Sequence, residues 1–182
     1  MPLERDYLAS VEAEYRRYRG LAERAIDRLS DEELVWVPDA GSNSVAVLMK
    51  HVGGNLRSRF ADFLSSDGEK PDRDRDAEFE VGPTDVEAVR RVWERGWATL
   101  FATLEGLGPQ DLAAVVRIRG EAHTVPQALE RSVAHTAYHV GQIVYVAKHL
   151  RSAAWQTLSI ARGQSQAFTA SRRETSREDR PT

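Results

Sequence analysis

Two of the five histidines in this chain, His135 and His139, stand four residues apart. On a helix that spacing sets both imidazoles on one face, one turn apart, so both can reach a single point. At roughly 100° per residue, Ala128, Ser132, His135, His139, Ile143, Val146 and Leu150 share one arc of the helix surface. The pair therefore sits in the stripe such a helix turns inward. Neutral imidazole is a good ligand for zinc, nickel, copper or iron. The alternative is two separate core histidines, each with its own hydrogen-bond partner, since an unpaired buried polar group costs free energy. One ion would satisfy both rings, and the pair alone leaves the two cases open.

A third ligand has to come from another helix. Val45, Leu48, Met49, Val52, Leu56, Phe60 and Phe63 define an apolar face, and His51 lies at its edge. Ser44, Asn55, Arg59 and Asp62 share that strip. A polar strip bordering a core face suits a site between helices, although a solvated face accounts for Arg59 and Asp62 equally well. His123 and His149 are expected at the surface.

Other chemistries find no support. The chain has no cysteine, which excludes disulfides, thiolate ligands and a cysteine nucleophile. It has no His-Glu-x-x-His motif for a zinc protease and no Gly-x-Ser-x-Gly elbow for a serine triad. Gly53-Gly54 lacks the lysine and hydroxyl residue of a phosphate loop, so close helix packing is the expected use of these glycines. Net charge is -3 over 182 residues, and nothing broadly basic calls for nucleic acid. No run approaches the ~18 apolar residues that span a bilayer. The start carries no apolar signal segment, so a cytoplasmic protein is expected.

Four long segments with helical periodicity would position these residues. The first runs from about Leu3 to Leu29, with Tyr15 and Tyr18 in its stripe. Ser30 to Glu33 forms a capping box for a short turn. The second helix is expected from Ser44 to Leu64, followed by a charged surface loop from Asp72 to Glu80 that is either mobile or functional. The third starts at a box from Thr84 to Glu87 and carries Trp93 and Trp97. Val115 to Arg119 reads as a short strand, with a turn at Gly120-Glu121. A third box, Thr124 to Gln127, opens the fourth long helix, which ends near Leu150. The expectation is an all-α four-helix bundle over residues 1–167, with a possible small β-hairpin before the last long helix. Residues 168–182 are Ser/Arg/Glu-rich and are expected to be disordered.

His51, with His135-Thr136-Ala137-Tyr138-His139, resembles the metal triad of the DinB/YfiT-like superfamily. Ser42-Asn43-Ser44, the stretch His51 to Arg59, Asp67-Gly68-Glu69-Lys70-Pro71, Arg119 to Thr124, His139 to Ile143 and Arg162-Gly163-Gln164-Ser165 resemble one uncharacterised bacterial branch of it. The resemblance spans about residues 5–168. It implies a four-helix bundle, often a homodimer, with one divalent metal, zinc or nickel foremost, on His51, His135 and His139. It also implies, for some members, transfer or isomerisation through a low-molecular-weight thiol such as bacillithiol, mycothiol or glutathione. The expected function is thus a divalent-metal-dependent enzyme, a thiol-dependent transferase favoured. Its rivals are a non-catalytic stress-associated metal-binding protein and a metal-dependent hydrolase. Asn55, Arg59, Tyr138 and Gln142 are the candidates for orienting a small-molecule substrate, on position alone.

Overall fold

Four capping devices define where the helices begin. Ser44 precedes α3 (Val45–Phe60), and its hydroxyl accepts a hydrogen bond from the Val47 amide at 3.2 Å. At α2 (Asp31–Leu34) the box is reciprocal, with Ser30 Oγ accepting from the Glu33 amide and Glu33 accepting from the Ser30 amide. The same exchange joins Thr124 and Gln127 at the start of α5 (Val125–Arg151), where Pro126 sits harmlessly in the first turn. At α4 (Val86–Gly106) the cap is Asp85, which accepts from the Ala88 amide at 3.0 Å. The expected box from Thr84 is thus replaced by a cap one residue later, and Thr84 itself lies outside the described residues.

The structure, a computed structural model, describes residues 2–80 and 85–178. It is mostly helical with one small hairpin. Besides the elements above it holds α1 (Pro2–Ile26), β1 (Val115–Ile118), β2 (Glu121–Thr124) and α6 (Ser165–Glu178). The chain divides into two units, Met1–Leu150 and Arg151–Thr182. Among the described residues no helix is long and apolar enough to cross a membrane.

In the first unit the core gathers the apolar stripes of α1, α3 and α4. Tyr15 of α1 meets Phe60 of α3 and Trp97 of α4 edge-on, at centroid distances of 6.1 and 6.3 Å. Trp93 and Trp97 are 2% and 0% exposed, so these aromatics serve the core rather than an outer face. Between α3 and α4 the backbones meet closely. A Cβ on Gly53 would lie 2.6 Å from the Val92 carbonyl oxygen, and one on Gly96 would strike the Gly53 backbone. These two glycines let the helices approach to a distance no side chain permits, which is the use expected for Gly53.

Two boundaries differ from expectation. α3 ends at Phe60 rather than Leu64, because Asp62 turns into the left-handed region (φ 50°) and its carbonyl accepts from the Ser65 and Ser66 amides. The hairpin turns at Arg119 and Gly120 (φ 55° and 79°), not at Gly120-Glu121, since Ile118 pairs with Glu121. Positive φ at both central residues makes the two-residue turn whose twist matches the strands. Asp67 holds that turn, accepting from the Arg119 amide at 2.8 Å and the Gly120 amide at 2.7 Å.

In the second unit a stretch expected to be disordered runs as α6. Its residues 165–175 are all exposed. The expectation rested on the missing apolar stripe, which reports on packing. Local helicity has other sources, here the helix propensity of Ala, Gln, Arg and Glu.

The glycine contact yields a test. Gly53→Ala forces a methyl group against backbone that cannot swing aside, and is expected to cost about 1–3 kcal/mol by overpacking. Chemical denaturation should show the lowered midpoint, whereas Gly141→Ala, where a Cβ meets nothing within 4 Å, should show none.

Candidate metal centre

α3 and α5 bring three imidazoles to one place. His51 is 3% exposed, His139 is 8% exposed and His135 is partly buried. One ligating nitrogen from each lies within 4.8 Å of the others. His51 Nε2 and His135 Nε2 stand 3.1 Å apart. Two nitrogens on one tetrahedral zinc would be about 3.3 Å apart, given bonds of ~2.0–2.1 Å. Among the described residues this is the one group of three or more His, Cys, Asp or Glu donors with such spacing.

The far side of His51 is fixed as well. Its Nδ1 lies 2.8 Å from Glu78 Oε2. Arg73 grips the same carboxylate with two hydrogen bonds of 2.8 Å, from Nε to Oε1 and from a terminal nitrogen to Oε2. Burial works against the charged carboxyl, but the hydrogen bonds from His51 and Arg73 outweigh it and hold Glu78 below its usual range. An ionised carboxylate can only accept, so Nδ1 of His51 carries a proton and Nε2 is the nitrogen that faces the other histidines. A carboxylate behind a ligating histidine is the usual outer support of a metal site.

Glu78 and Arg73 fall in the stretch expected to be a charged surface loop, either mobile or functional. The structure corrects its placement at the surface, for Glu78 is buried and the Arg73 side chain is 3% exposed. Gly54 explains the room: a Cβ there would collide with Glu78 Oε1. Gly53 and Gly54 thus serve different ends, the first helix contact and the second admission of a carboxylate. Ala77 and Phe79 were the available signal, since they interrupt an otherwise charged run. Phe79 covers His51 at a centroid distance of 4.6 Å.

Burial, followed by the charges of His139, His51, Arg59 and Arg73, pushes His135 down to about 3. Burial, with His51 and Arg75, pushes His139 down to about 4. Both rings are therefore neutral at pH 7, the form that ligates. Their Nδ1 atoms are buried without a hydrogen-bond partner. Three imidazoles, with neither thiolate nor carboxylate among them, suit zinc, nickel, copper or iron better than calcium or magnesium.

The histidines line a cleft of about 480 Å³. Asn55, Arg59, Tyr138 and Gln142 line it too. So do Arg73, Arg75, Arg119 and Arg131, which sequence reasoning passed over. They come from a loop, a hairpin turn and the first half of α5, and no periodic pattern connects them. His123 and His149 stay outside the triad. His123 bonds near Arg131, and His149 stacks on Trp36 at 5.5 Å.

Two outcomes follow. Glu78→Gln, which keeps shape and removes charge, should weaken zinc binding by about 10–100-fold in a chelator competition. Gly54→Ala should act in the same direction by displacing that carboxylate. The second outcome concerns pH. Both histidines have folded values below the ordinary 6.5, so acid favours the unfolded chain, which binds more protons. The metal-free protein should keep its full stability above pH 6.5 and lose it as pH falls toward 4. Thermal melts in a pH series should show a shallower loss over that window for His139→Ala than for the wild type.

Comparison with known proteins adds one finding. No curated protein and no solved structure matches the chain. A family model described as "Protein of unknown function (DUF1572)" matches residues 3–164. That span takes in all three histidines, Glu78, both glycines and the hairpin, and so the chain belongs to the DUF1572 family.

Proposed function

We propose that this chain is a divalent-metal-dependent enzyme of the DinB/YfiT-like four-helix-bundle type, with His51, His135 and His139 as ligands to one ion. The favoured activity is transfer through a low-molecular-weight thiol. One observation carries the reading: three imidazole donors meet at an open cleft, with no fourth His, Cys, Asp or Glu donor in the group among the described residues. Three protein ligands leave a coordination position for water or substrate, as catalytic sites do. A divalent ion held there supplies a Lewis acid that lowers the pKa of a bound thiol or water.

The chain's own residues have separate tasks in this reading. Arg73 and Glu78 keep the proton on His51 Nδ1, so that the ring cannot turn or change tautomer. Phe79 shields that ring from water. Asn55 and Gln142 offer amide groups beside the histidines, and Arg59 offers a cation. Tyr138, 67% exposed, stands where a substrate would pass. The same reading includes a homodimer, for which Tyr138 and Tyr145, two turns apart on α5 and both exposed, are the aromatic contacts to examine by light scattering of Tyr145→Ser.

Metal analysis of the purified protein tests the site. One zinc or nickel per chain is expected, and His135→Ala or His139→Ala should each abolish tight binding. The fold should persist, because apolar stripes and caps of about 1 kcal/mol each secure the helices. Chelation should therefore remove the ion with far-ultraviolet circular dichroism unchanged. Helicity that collapses in step with metal loss would make the ion structural and remove the enzyme reading.

A further inference from the structure

We propose that the cleft selects a small organic anion, and that Arg75, Arg119 and Arg131 hold its carboxylate or phosphate group. The proposal rests on the metal-site reading only for the end of the ligand that faces the histidines. The arginine cradle stands without it.

The charge of the lining is the first ground. Five guanidiniums, those of Arg59, Arg73, Arg75, Arg119 and Arg131, line the cleft, and no Asp or Glu does. The chain as a whole carries a net charge of -3, so this concentration of positive charge is local and not a consequence of composition. A cleft lined by one sign of charge concentrates ligands of the other sign. The three imidazoles beside it offer no negative charge to neutralise it, and a divalent ion on them would add to it.

Not all five are available, and the division between them is the second ground. Arg73 is committed to Glu78, and Arg59 to Glu69 and the Gly68 carbonyl. Their side chains are 3% and 13% exposed, as structural arginines should be. Glu69 serves Arg119 as well, at 2.8 Å, while also lying 3.4 Å from Arg73. One carboxylate thus faces three guanidiniums. Arg75 has Asp76 at 3.6 Å, and Arg131 has Glu121 at 3.6 Å, both too long for hydrogen bonds, and Arg131 otherwise meets the ring nitrogen Nε2 of His123 at 3.1 Å, an exposed contact that offers no negative charge. Those two acidic side chains are 97% and 71% exposed, and water screens them. Arg75, Arg119 and Arg131 are 48%, 55% and 53% exposed, so their heads reach solvent where they line the cleft. They come from the 72–80 segment, the hairpin turn and α5. A ligand anion can recruit them without breaking a buried pair, and the planar fork of arginine matches carboxylate and phosphate alike.

The size of the site decides between a small molecule and a polymer. About 480 Å³ is the volume of a small-ligand pocket. Nucleic acid would need a basic track across the surface of a chain that is acidic overall.

Calorimetry on the full chain, both metal-free and zinc-loaded, tests this. The probes are succinate and glycerol 3-phosphate, with succinamide and glycerol as neutral counterparts. Saturable binding of at least one anion to both forms is expected, with no binding of the neutral pair, and the tighter anion identifies the group. Arg75→Gln combined with Arg131→Gln should weaken that binding at least tenfold, with zinc stoichiometry and circular dichroism unchanged. Each single variant should give a smaller loss, which keeps the test usable if the double variant folds poorly. Absence of anion binding to the wild type overturns the proposal, as does equal binding by the double variant. Failure of the metal reading looks different: zinc would not bind, while the anion would still bind the wild type and not the double variant.

Discussion

A charged carboxylate taken out of water must be met by donors on every side, and Glu78 is where this chain satisfies that condition. Desolvating an unpaired carboxylate costs several kcal/mol even after relaxation, far more than one hydrogen bond returns. Arg73 supplies two donors and His51 a third, all at 2.8 Å. Removing any one would leave a buried charge or a buried ring nitrogen without its partner. The segment from Asp72 to Glu80 therefore has one workable path over α3, although its composition alone resembles a solvated strand of charge. The orientation of His51 follows from that path, and the place at which three imidazoles meet follows from His51.

α3 has to satisfy two neighbours with consecutive glycines. On one side Gly53 admits the backbone of α4, and on the other Gly54 admits the Glu78 carboxylate. A methyl group at either position would move a partner, but the consequences differ in kind. At Gly53 the obstacle is main chain, so the helix pair itself would separate. At Gly54 it is the end of a side chain, so the site would loosen while the core stayed intact. Helix packing and the geometry around His51 thus depend on adjacent residues but on different neighbours, main chain at one and a side chain at the other.

A second network connects the hairpin to the same helix. The Asp67 carboxylate caps the turn amides of Arg119 and Gly120, Gly68 donates to the Arg117 carbonyl, and Ser58 of α3 donates to the Gly68 carbonyl. Burial and backbone hydrogen bonds act in opposite directions on Asp67, and the hydrogen bond from the Glu69 amide, the largest effect, holds its carboxyl below the usual range. A small two-stranded hairpin is marginal by itself. Here it is tied down, and it carries Arg119 to the rim of the cleft.

What the sequence determined by itself is what local rules govern. The 3.6-residue period placed α1, α3, α4 and α5, because each must bury one stripe. The i,i+4 spacing set His135 and His139 on one face, and capping chemistry located Ser30 and Thr124. Asn55 and Gln142 could be placed beside the histidines by the same angular arithmetic. The tertiary structure alone decided which charged residues are buried. Arg73 lies in one charged run with Asp72, Asp74, Arg75 and Asp76, and only the neighbouring Ala77 and Phe79 set Glu78 apart from it. Their burial depends on a gap at Gly54 and on a ring nitrogen at His51, 19 to 27 residues earlier in the chain. Arg75, Arg119 and Arg131 likewise share no pattern in sequence, because a cleft is formed by the meeting of distant segments and no local rule records that meeting.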